Sequence, residues 1–178
     1  MTRARTALRL SFPVADETDA EAIARVRSAA ADRLTRDHGY GPWSLGATGD
    51  DVLRAIRASR VLVARIGDAI VGTLRLATMK PWAIDVAYFT PARRPLYLSD
   101  MAVTPEWQGQ GIGRALLAEA VTLAEAWPGD AIRLDAYDAP AGAGGFYAAC
   151  GWIERGRVTY RNAPLIYFEH LPPAVMKR

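Results

Sequence analysis

The amino-acid sequence predicts an α/β fold: one mixed, mostly antiparallel central sheet flanked by helices. Two observations carry this prediction. The β-rich runs 61–66 and 69–77 are separated only by Gly67-Asp68, the two-residue signature of a tight antiparallel hairpin. Further along, a strand at 96–103, a helix and a strand at 132–137 form a βαβ unit, which places a parallel pair at the centre of the sheet.

The first third of the chain predicts one strand and two helices. Residues 8–12 form a short apolar run that is typical of a strand, and Thr18-Asp-Ala-Glu21 has the spacing of a helix capping box. One face of the helix that follows is apolar, at Ile23, Val26, Ala30 and Leu34. Gly39 ends it, residues 39–46 form an aromatic loop, and a second helix at 50–59 turns three side chains inward, those of Val52, Leu53 and Ile56.

After the hairpin, residues 79–95 are rich in proline and aromatic side chains and are interpreted as a connector. The helix of the βαβ unit runs to about Trp127, with apolar residues at helical spacing, Leu116, Ala120, Leu123 and Trp127. A short helix at 144–150, stopped by Gly151, and strands at 152–158 and 165–169 complete the fold.

The composition predicts one cytoplasmic domain spanning residues 1–178, of which 51% are hydrophobic. No apolar run reaches the roughly 18 residues that a membrane helix needs, and the start Met1-Thr-Arg3-Ala-Arg5 leads into no signal-peptide core. A net charge of +3 without a basic run argues against nucleic-acid binding. The single cysteine, Cys150, excludes an intramolecular disulfide and leaves too few thiols for a structural zinc site, so no metal is expected.

The most informative segment is the turn Gln108-Gly-Gln-Gly111-Ile-Gly113-Arg114, which opens a helix. Its glycines let the backbone approach a ligand closely, and the helix N-terminus offers unpaired N–H groups and the positive end of its dipole. We therefore expect a phosphate group to bind there.

Glycine spacing alone does not choose among nucleotide-binding folds. A P-loop needs Lys and then Ser or Thr after its glycines, but Arg114-Ala115 follows Gly113. A dinucleotide fingerprint needs a glycine at position 114 and a turn directly after the strand. Asp135 does fall near the distance of the ribose-binding acid, but position 114 is Arg and a hairpin precedes the unit. Both alternatives therefore fit poorly.

The pattern instead resembles the GNAT superfamily of N-acetyltransferases. Their pyrophosphate motif is Gln or Arg, two residues, Gly, one residue, then Gly or Ala, and Gln108, Gly111 and Gly113 match it. A second family signature, an aromatic-Tyr pair followed by Gly and an aromatic residue, is similar to Phe146-Tyr147 with Gly151-Trp152. The resemblance is best from Val61 to Trp152, and Pro140 stands where family members often carry Asn.

The resemblance implies a splayed parallel strand pair and an acetyl-CoA co-substrate. It places pantetheine and a polarised thioester carbonyl against the strand residues Met101, Ala102 and Val103. It places the diphosphate on the backbone of the turn, made of Gln108, Gly109, Gln110, Gly111, Ile112, Gly113 and Arg114. It also implies that Tyr147 protonates the departing thiolate, although the same ring could merely pack beneath the sheet.

An alkylamine acceptor is almost fully protonated at pH 7, so a carboxylate or an ordered water must take its proton. Asp100, on the central strand, is the first candidate base, and Asp85, beside Tyr88 and Phe89 in the connector, is the second. Either could equally be a solvated or salt-bridged acid. Four aromatic residues are candidates for the walls of the acceptor cleft, namely Tyr40, Trp43, Trp82 and Tyr160.

Acetyl transfer from acetyl-CoA to a primary amine is therefore the expected function. The alternative is a non-catalytic acyl-CoA-binding regulatory module that has kept the turn. The expected partners are coenzyme A and an amine acceptor, either a small molecule or a protein amine, with no nucleic acid and no membrane. The identity of the acceptor and the oligomeric state, including a homodimer, are left open.

Overall fold

A computed structural model describes residues 9–172 of the chain. Seven strands form one sheet, and they are β1 Leu10–Ser11, β2 Arg60–Ile66, β3 Ala69–Ala77, β4 Pro95–Val103, β5 Ala131–Tyr137, β6 Ile153–Tyr160 and β7 Ala163–His170. Four α-helices accompany them, α1 Ala20–His38, α2 Gly49–Ala58, α3 Ile112–Ala126 and α4 Gly144–Ala149. Short 3₁₀ turns lie at Glu17–Asp19, Pro42–Ser44, Val86–Tyr88 and Pro105–Trp107.

The sheet has the order β1-β2-β3-β4-β5-β7-β6, and the β4–β5 pair is parallel while the other named pairs are antiparallel. The predicted fold class is confirmed. The hairpin turns at Gly67, whose φ of 60° suits a tight two-residue connection between Ile66 and Ala69. The predicted first strand shortens to Leu10–Ser11, and Leu8, like the segment from Met1 to Arg5, lies outside the described residues.

The start of α1 differs from the prediction. The capping box is formed by Asp16 and Asp19 rather than by Thr18 and Glu21. The Asp16 carboxylate accepts the Thr18 N–H at 2.8 Å, and the Asp19 carboxylate accepts the Asp16 N–H at 3.2 Å. The Thr18 hydroxyl also donates to Asp16, so Thr18 is tied into this 3₁₀ turn instead of standing at the start of the helix. A 3₁₀ turn thus leads directly into α1.

Helices cover both faces of the sheet because β2 and its neighbours alternate buried side chains between the two faces. Leu62 and Ala64 pack with α3 in the larger core cluster, which also contains Leu116 and Ala120. Val61 and Val63 pack with α1 and α2, against side chains such as Ile23 and Val52. Among the described helices, none is long and apolar enough to cross a membrane.

The central strands separate partway along their length. Parallel pairing of β4 with β5 runs from Pro95–Ala131 to Tyr97–Arg133 and stops there. Beside β3, the register shifts so that Thr73 faces Ala102 but Arg75 faces Ser99. β4 therefore carries one extra residue, a bulge, and Asp100 at this point has a φ of 55°. The splayed pair implied by the family resemblance is present, and it leaves one side of β4 without a strand partner.

The connector between β3 and β4 is fastened to the sheet by buried polar groups. The fully buried Glu169 carboxylate accepts bonds from Arg133 at 3.2 Å and Arg155 at 2.7 Å, and it also accepts the Thr90 backbone N–H at 3.3 Å. Earlier in the connector, the Tyr167 hydroxyl accepts the Asp85 N–H at 3.1 Å and donates to the Ala83 carbonyl. The connector thus lies on the sheet at two fixed points.

Candidate active site

Two cavities meet at the splayed ends of β4 and β5. The larger, of about 700 Å³, lies between α1, β4, the glycine turn and α4, and the smaller, of about 430 Å³, lies between α1, the 39–46 loop, β4 and β5. Met101, Ala102 and Tyr147 line both cavities. Ala30 and Leu34, predicted to face the core, line both as well, so the apolar face of α1 is partly a cavity wall.

The glycine turn forms the far end of the larger cavity. Gly109 and Gly111 have φ values of 74° and 84°, a region that side chains bearing a Cβ rarely adopt. The Gln108 side-chain amide donates to the Val103 carbonyl at 2.9 Å, and that of Gln110 donates to the Glu106 carbonyl at 2.9 Å. Both side chains are therefore held on the protein's own backbone, which leaves the first N–H groups of α3 to face a ligand.

Not every residue of the predicted turn faces the larger cavity. The cavity is lined by Gln108, Gly109, Gly111, Gly113 and Arg114, together with Met101, Ala102 and Val103 from β4. The side chain of Ile112 is 4% exposed and packs in the core, and Gln110 does not line the cavity. At these two positions, the side chains form no part of the cavity wall.

Gly113 has a different task from the glycines before it. A Cβ at this position would lie 3.2 Å from the Phe146 ring and 3.4 Å from the Met101 methyl group. The missing side chain therefore allows α3 to approach α4 and β4 closely. Arg114 bridges the same two helices, because its guanidinium donates to the Ala149 carbonyl at 3.2 Å.

Tyr147 lies where the cavities join and is only 6% exposed. Its ring packs against the rings of Phe146, Trp152 and Phe168, and its hydroxyl donates to the Met101 sulfur at 3.6 Å. Burial raises the pKa of Tyr147 well above its ordinary value, and the nearby Asp135 raises this pKa further. The hydroxyl therefore keeps its proton and can act as a hydrogen-bond or proton donor at this junction.

The two predicted base candidates lie in different places. Asp100 lines the smaller cavity, but its carboxylate is 2.8 Å from Arg27 and 3.8 Å from Arg75. Asp85 lines neither cavity. Its carboxylate instead accepts the Ala87 N–H at 3.0 Å and caps the 3₁₀ turn of the connector. The neighbouring rings of Tyr88 and Phe89 pack on Tyr167 and hold this segment against the sheet.

A third carboxylate, Asp135 on β5, also lines the smaller cavity. Burial raises the pKa of Asp135, and among the described residues this side chain forms no ion pair. From the sequence alone, Asp135 was a candidate only for the ribose-binding acid of a dinucleotide-binding fold. A stronger signal was available, because an acid alternating with the apolar residues Leu134 and Ala136 of a central strand must face either a partner or a cavity.

Of the four aromatic residues predicted to line an acceptor cleft, Trp43 lines the smaller cavity. Tyr40 and Trp82 line neither cavity, and their side chains are 84% and 88% exposed. Tyr160 lines neither. Tyr137, which no motif marks, lines the smaller cavity next to Trp43. No group of three or more His, Cys, Asp or Glu side chains within residues 9–172 could hold a metal ion.

The sequence is similar to those of known proteins. Residues 57–154 match the family described as Acetyltransferase (GNAT) domain. An aminoglycoside N(6′)-acetyltransferase type 1 from Stenotrophomonas maltophilia is 38% identical over 73 residues, which cover 39% of this chain and 45% of that protein, so the match spans less than half of the relative.

Solved structures share the fold over nearly the whole chain. The ribosomal-protein-alanine N-acetyltransferase of Brucella melitensis superposes with a TM-score of 0.70 at 20% identity, covering 91% of this chain and 99% of that one. The yncA protein of Salmonella typhimurium, solved with its cofactor acetyl-CoA, gives a TM-score of 0.67 at 18% identity, covering 91% and 93%. Because the family match spans more than half of the chain and includes the glycine turn, the splayed strands and Tyr147, the protein belongs to the GNAT family of acetyltransferases.

Proposed function

We propose that this protein transfers the acetyl group of acetyl-CoA to a primary amine by direct attack of the amine on the thioester. The observation that carries the proposal is the meeting of two cavities at Met101, Ala102 and Tyr147. A transferase of this kind must bring two substrates together from opposite sides of one reacting carbon, and this junction provides such a place.

The larger cavity suits acetyl-CoA. Its far end offers the N-terminus of α3 and the guanidinium of Arg114 to a diphosphate. Between this end and the junction runs the side of β4 that β5 leaves unpaired beyond Tyr97, and an amide-bearing pantetheine arm can bond there as a further strand would. The bound cofactor of yncA supports this assignment through the shared fold.

The chemistry that we propose uses the groups at the junction. A backbone N–H among Met101, Ala102 and Val103 polarises the thioester carbonyl while the amine nitrogen attacks its carbon. The C–N bond forms, the C–S bond breaks, and Tyr147 gives its proton to the departing thiolate. Desolvation raises the pKa of Tyr147 and also makes a thiolate in the same place more basic, so the two shifts offset each other.

We propose Asp135 as the group that takes the proton from the amine. Its raised pKa makes it a stronger base than an ordinary carboxylate, and it lines the cavity opposite the acetyl-CoA side. Asp100 remains the second candidate, although its carboxylate is engaged by the guanidinium groups of Arg27 and Arg75. Asp85 is the weakest of the three because it lines neither cavity.

Release of CoA thiol is the measurement that tests the function. The protein is incubated with acetyl-CoA and a panel of primary amines, and thiol appearance is followed with and without each amine. We expect amine-dependent release. Acetyl-CoA binding without release for any amine would favour the alternative of an acyl-CoA-binding regulatory module. The cytoplasmic location stays a prediction and the oligomeric state stays open, because this experiment tests neither.

A further inference from the structure

One part of the wall of the smaller cavity is apolar and aromatic, beside the charged groups of its other part. Leu34, Pro42 and Leu45 line it with Trp43 and Tyr137. The two rings meet edge to face, with centroids 5.9 Å apart and planes at 73°. A flat apolar body placed against the exposed surface of this ring pair would bury aromatic surface.

The ring of Trp43 is fixed in place before any ligand arrives. Its indole N–H donates to the Gly39 carbonyl at 3.0 Å, so the polar edge is already satisfied. On the other side, a Cβ at residue 41 would lie only 2.5 Å from the ring, and the glycine at this position permits the close approach. The Trp43 ring thus presents an apolar surface to the cavity in an orientation that is already fixed. This lowers the entropy cost of binding an aromatic ligand.

The charges of this cavity limit its occupant more than its volume does. Three ionisable side chains other than tyrosine line it, Arg27, Asp100 and Asp135. Arg27 and Arg75 compensate Asp100, so Asp135 is the one carboxylate here without an ion pair among the described residues. A single ammonium group finds a partner at Asp135. A further ammonium inside the cavity would find no second unpaired carboxylate among the described residues that line it.

We propose that the acceptor is a small primary monoamine carrying a flat apolar body, of the arylalkylamine class, and not a polycationic aminosugar. The proposal rests on the proposed function, because it names the substrate class of the same site. In this arrangement the ring lies against Trp43 and Tyr137, and the amine faces Asp135 and the junction at Tyr147. Trp43 acts as a specificity-determining residue that touches the substrate at a distance from the reacting atoms.

The test compares kcat/KM at saturating acetyl-CoA for 2-phenylethylamine, n-butylamine, kanamycin and a peptide that begins with alanine. We expect 2-phenylethylamine to exceed n-butylamine by about ten- to hundredfold, since it buries a phenyl ring, and to exceed kanamycin and the peptide by at least about tenfold. A preference for kanamycin or the peptide would overturn the inference while leaving acetyl transfer intact.

Matched tryptophan variants locate the effect. Trp43→Ala should lower kcat/KM for 2-phenylethylamine about tenfold, mainly through KM, and change that for n-butylamine by less than about threefold, while Trp43→Phe should restore most of the loss. Trp82→Ala, which removes an 88% exposed ring outside both cavities, should change neither. Equal losses for both amines in a Trp43→Ala protein of normal melting temperature would contradict the proposal.

Calorimetry distinguishes a failure of the assigned acceptor class from a failure of the proposed acetyl transfer. If no amine is acetylated, 2-phenylethylamine is titrated into the protein in the presence of CoA. Binding that is lost in Trp43→Ala and kept in Trp82→Ala would support the assigned acceptor class and refute catalysis. Absence of binding to the wild-type protein would overturn the inference itself.

Discussion

The two halves of the proposed site, the larger cavity for acetyl-CoA and the smaller one for the acceptor, are built by different means. The acetyl-CoA side is made largely of backbone, with positive φ angles at Gly109 and Gly111, the N-terminus of α3 and an unpaired side of β4. The acceptor side is made of side chains that come from segments far apart in sequence, such as Arg27, Trp43 and Asp135. The first half depends on a short contiguous motif and the second depends on the whole fold.

Because of this difference, the two halves should tolerate different kinds of substitution. A backbone site fails when its conformation becomes inaccessible, whatever side chain is introduced. A side-chain site can be altered one group at a time, with graded effects on specificity and rate. Substitutions on the two sides should therefore differ in size and in the step that they affect.

The largest effect is expected at Gly111. Its φ of 84° strongly disfavours a β-branched residue, so Gly111→Val should disrupt the turn and weaken acetyl-CoA binding by roughly 100-fold or more in calorimetry. A Cβ there would meet nothing within 4 Å, so the loss would come from conformation and not from a clash.

Gly151→Val is the matched control for this variant. Gly151 has a φ of 82° and equally open surroundings, but it lines neither cavity. Both variants should be destabilised to a similar extent, and only Gly111→Val should lose binding. Undiminished acetyl-CoA affinity in a folded Gly111→Val protein would remove the turn from the site.

An intermediate effect is expected at the junction. Tyr147→Phe should lower turnover by more than about tenfold and leave acetyl-CoA affinity within a few-fold, because the proton is needed in the transition state while the ring contacts persist. Steady-state kinetics together with melting temperatures provide the measurement. Because burial raises the pKa of Tyr147, its ionisation should not limit the rate at moderately alkaline pH.

Tyr167→Phe removes a comparable buried hydroxyl that bonds to the connector and lines neither cavity. We expect this control to lose stability and keep most of its turnover. Wild-type turnover in Tyr147→Phe would leave water as the proton donor.

A smaller, pH-dependent effect is expected at Asp135. If this carboxylate is the base, the rate rises as it ionises, over a range above the ordinary aspartate pKa because burial raises its own. Asp135→Asn should remove this rise and lose several-fold in rate, measured with an acceptor amine across pH 4 to 9. The same rise persisting in Asp135→Asn and vanishing in Asp100→Asn would identify Asp100 as the base.

The smallest effect is the stability of the same variant. A carboxyl whose pKa is raised on folding binds its proton more tightly in the native state, so its relative stabilising contribution is full below the unfolded pKa near 3.8 and is lost as pH rises through the folded value. Asp135→Asn should therefore raise the melting temperature at pH 7, by on the order of 2 °C, and by less near pH 3. A lower melting temperature at pH 7 would indicate a stabilising partner for the carboxylate.

The same contrast explains what could be predicted from the sequence. Residues 108–114 form a motif whose glycine positions and following helix indicate their role without the rest of the fold. The order of strands also followed from local signals, such as the two-residue turn at Gly67-Asp68. By contrast, Asp135 and Trp43 lie 92 positions apart in the numbering and come together only once β5 and the 39–46 loop pack around α1. No local pattern encodes such a meeting.

Asp85 shows why aromatic neighbours in the sequence are not enough to locate a cavity. As an acid in a connector rich in aromatic residues, Asp85 was the second candidate base. In the fold, Tyr88 and Phe89 instead pack on Tyr167, and the Asp85 carboxylate serves its own 3₁₀ turn. Whether a ring covers a core or lines a cavity depends on contacts with a strand about 80 residues later, which composition cannot supply.

The splay between β4 and β5 also has a kinetic consequence. A ligand that entered an ordinary sheet would first have to break ladder hydrogen bonds, each worth about 0.5–1.5 kcal/mol net. Here, pairing stops at Tyr97 and Arg133, so no such bonds stand in the way. The sheet thus has an unpaired strand edge in its middle, where neighbouring molecules cannot easily reach it. A pantetheine arm can dock along this edge once the edge has lost its water, with no protein hydrogen bond to break. Association should therefore be fast and require little backbone movement.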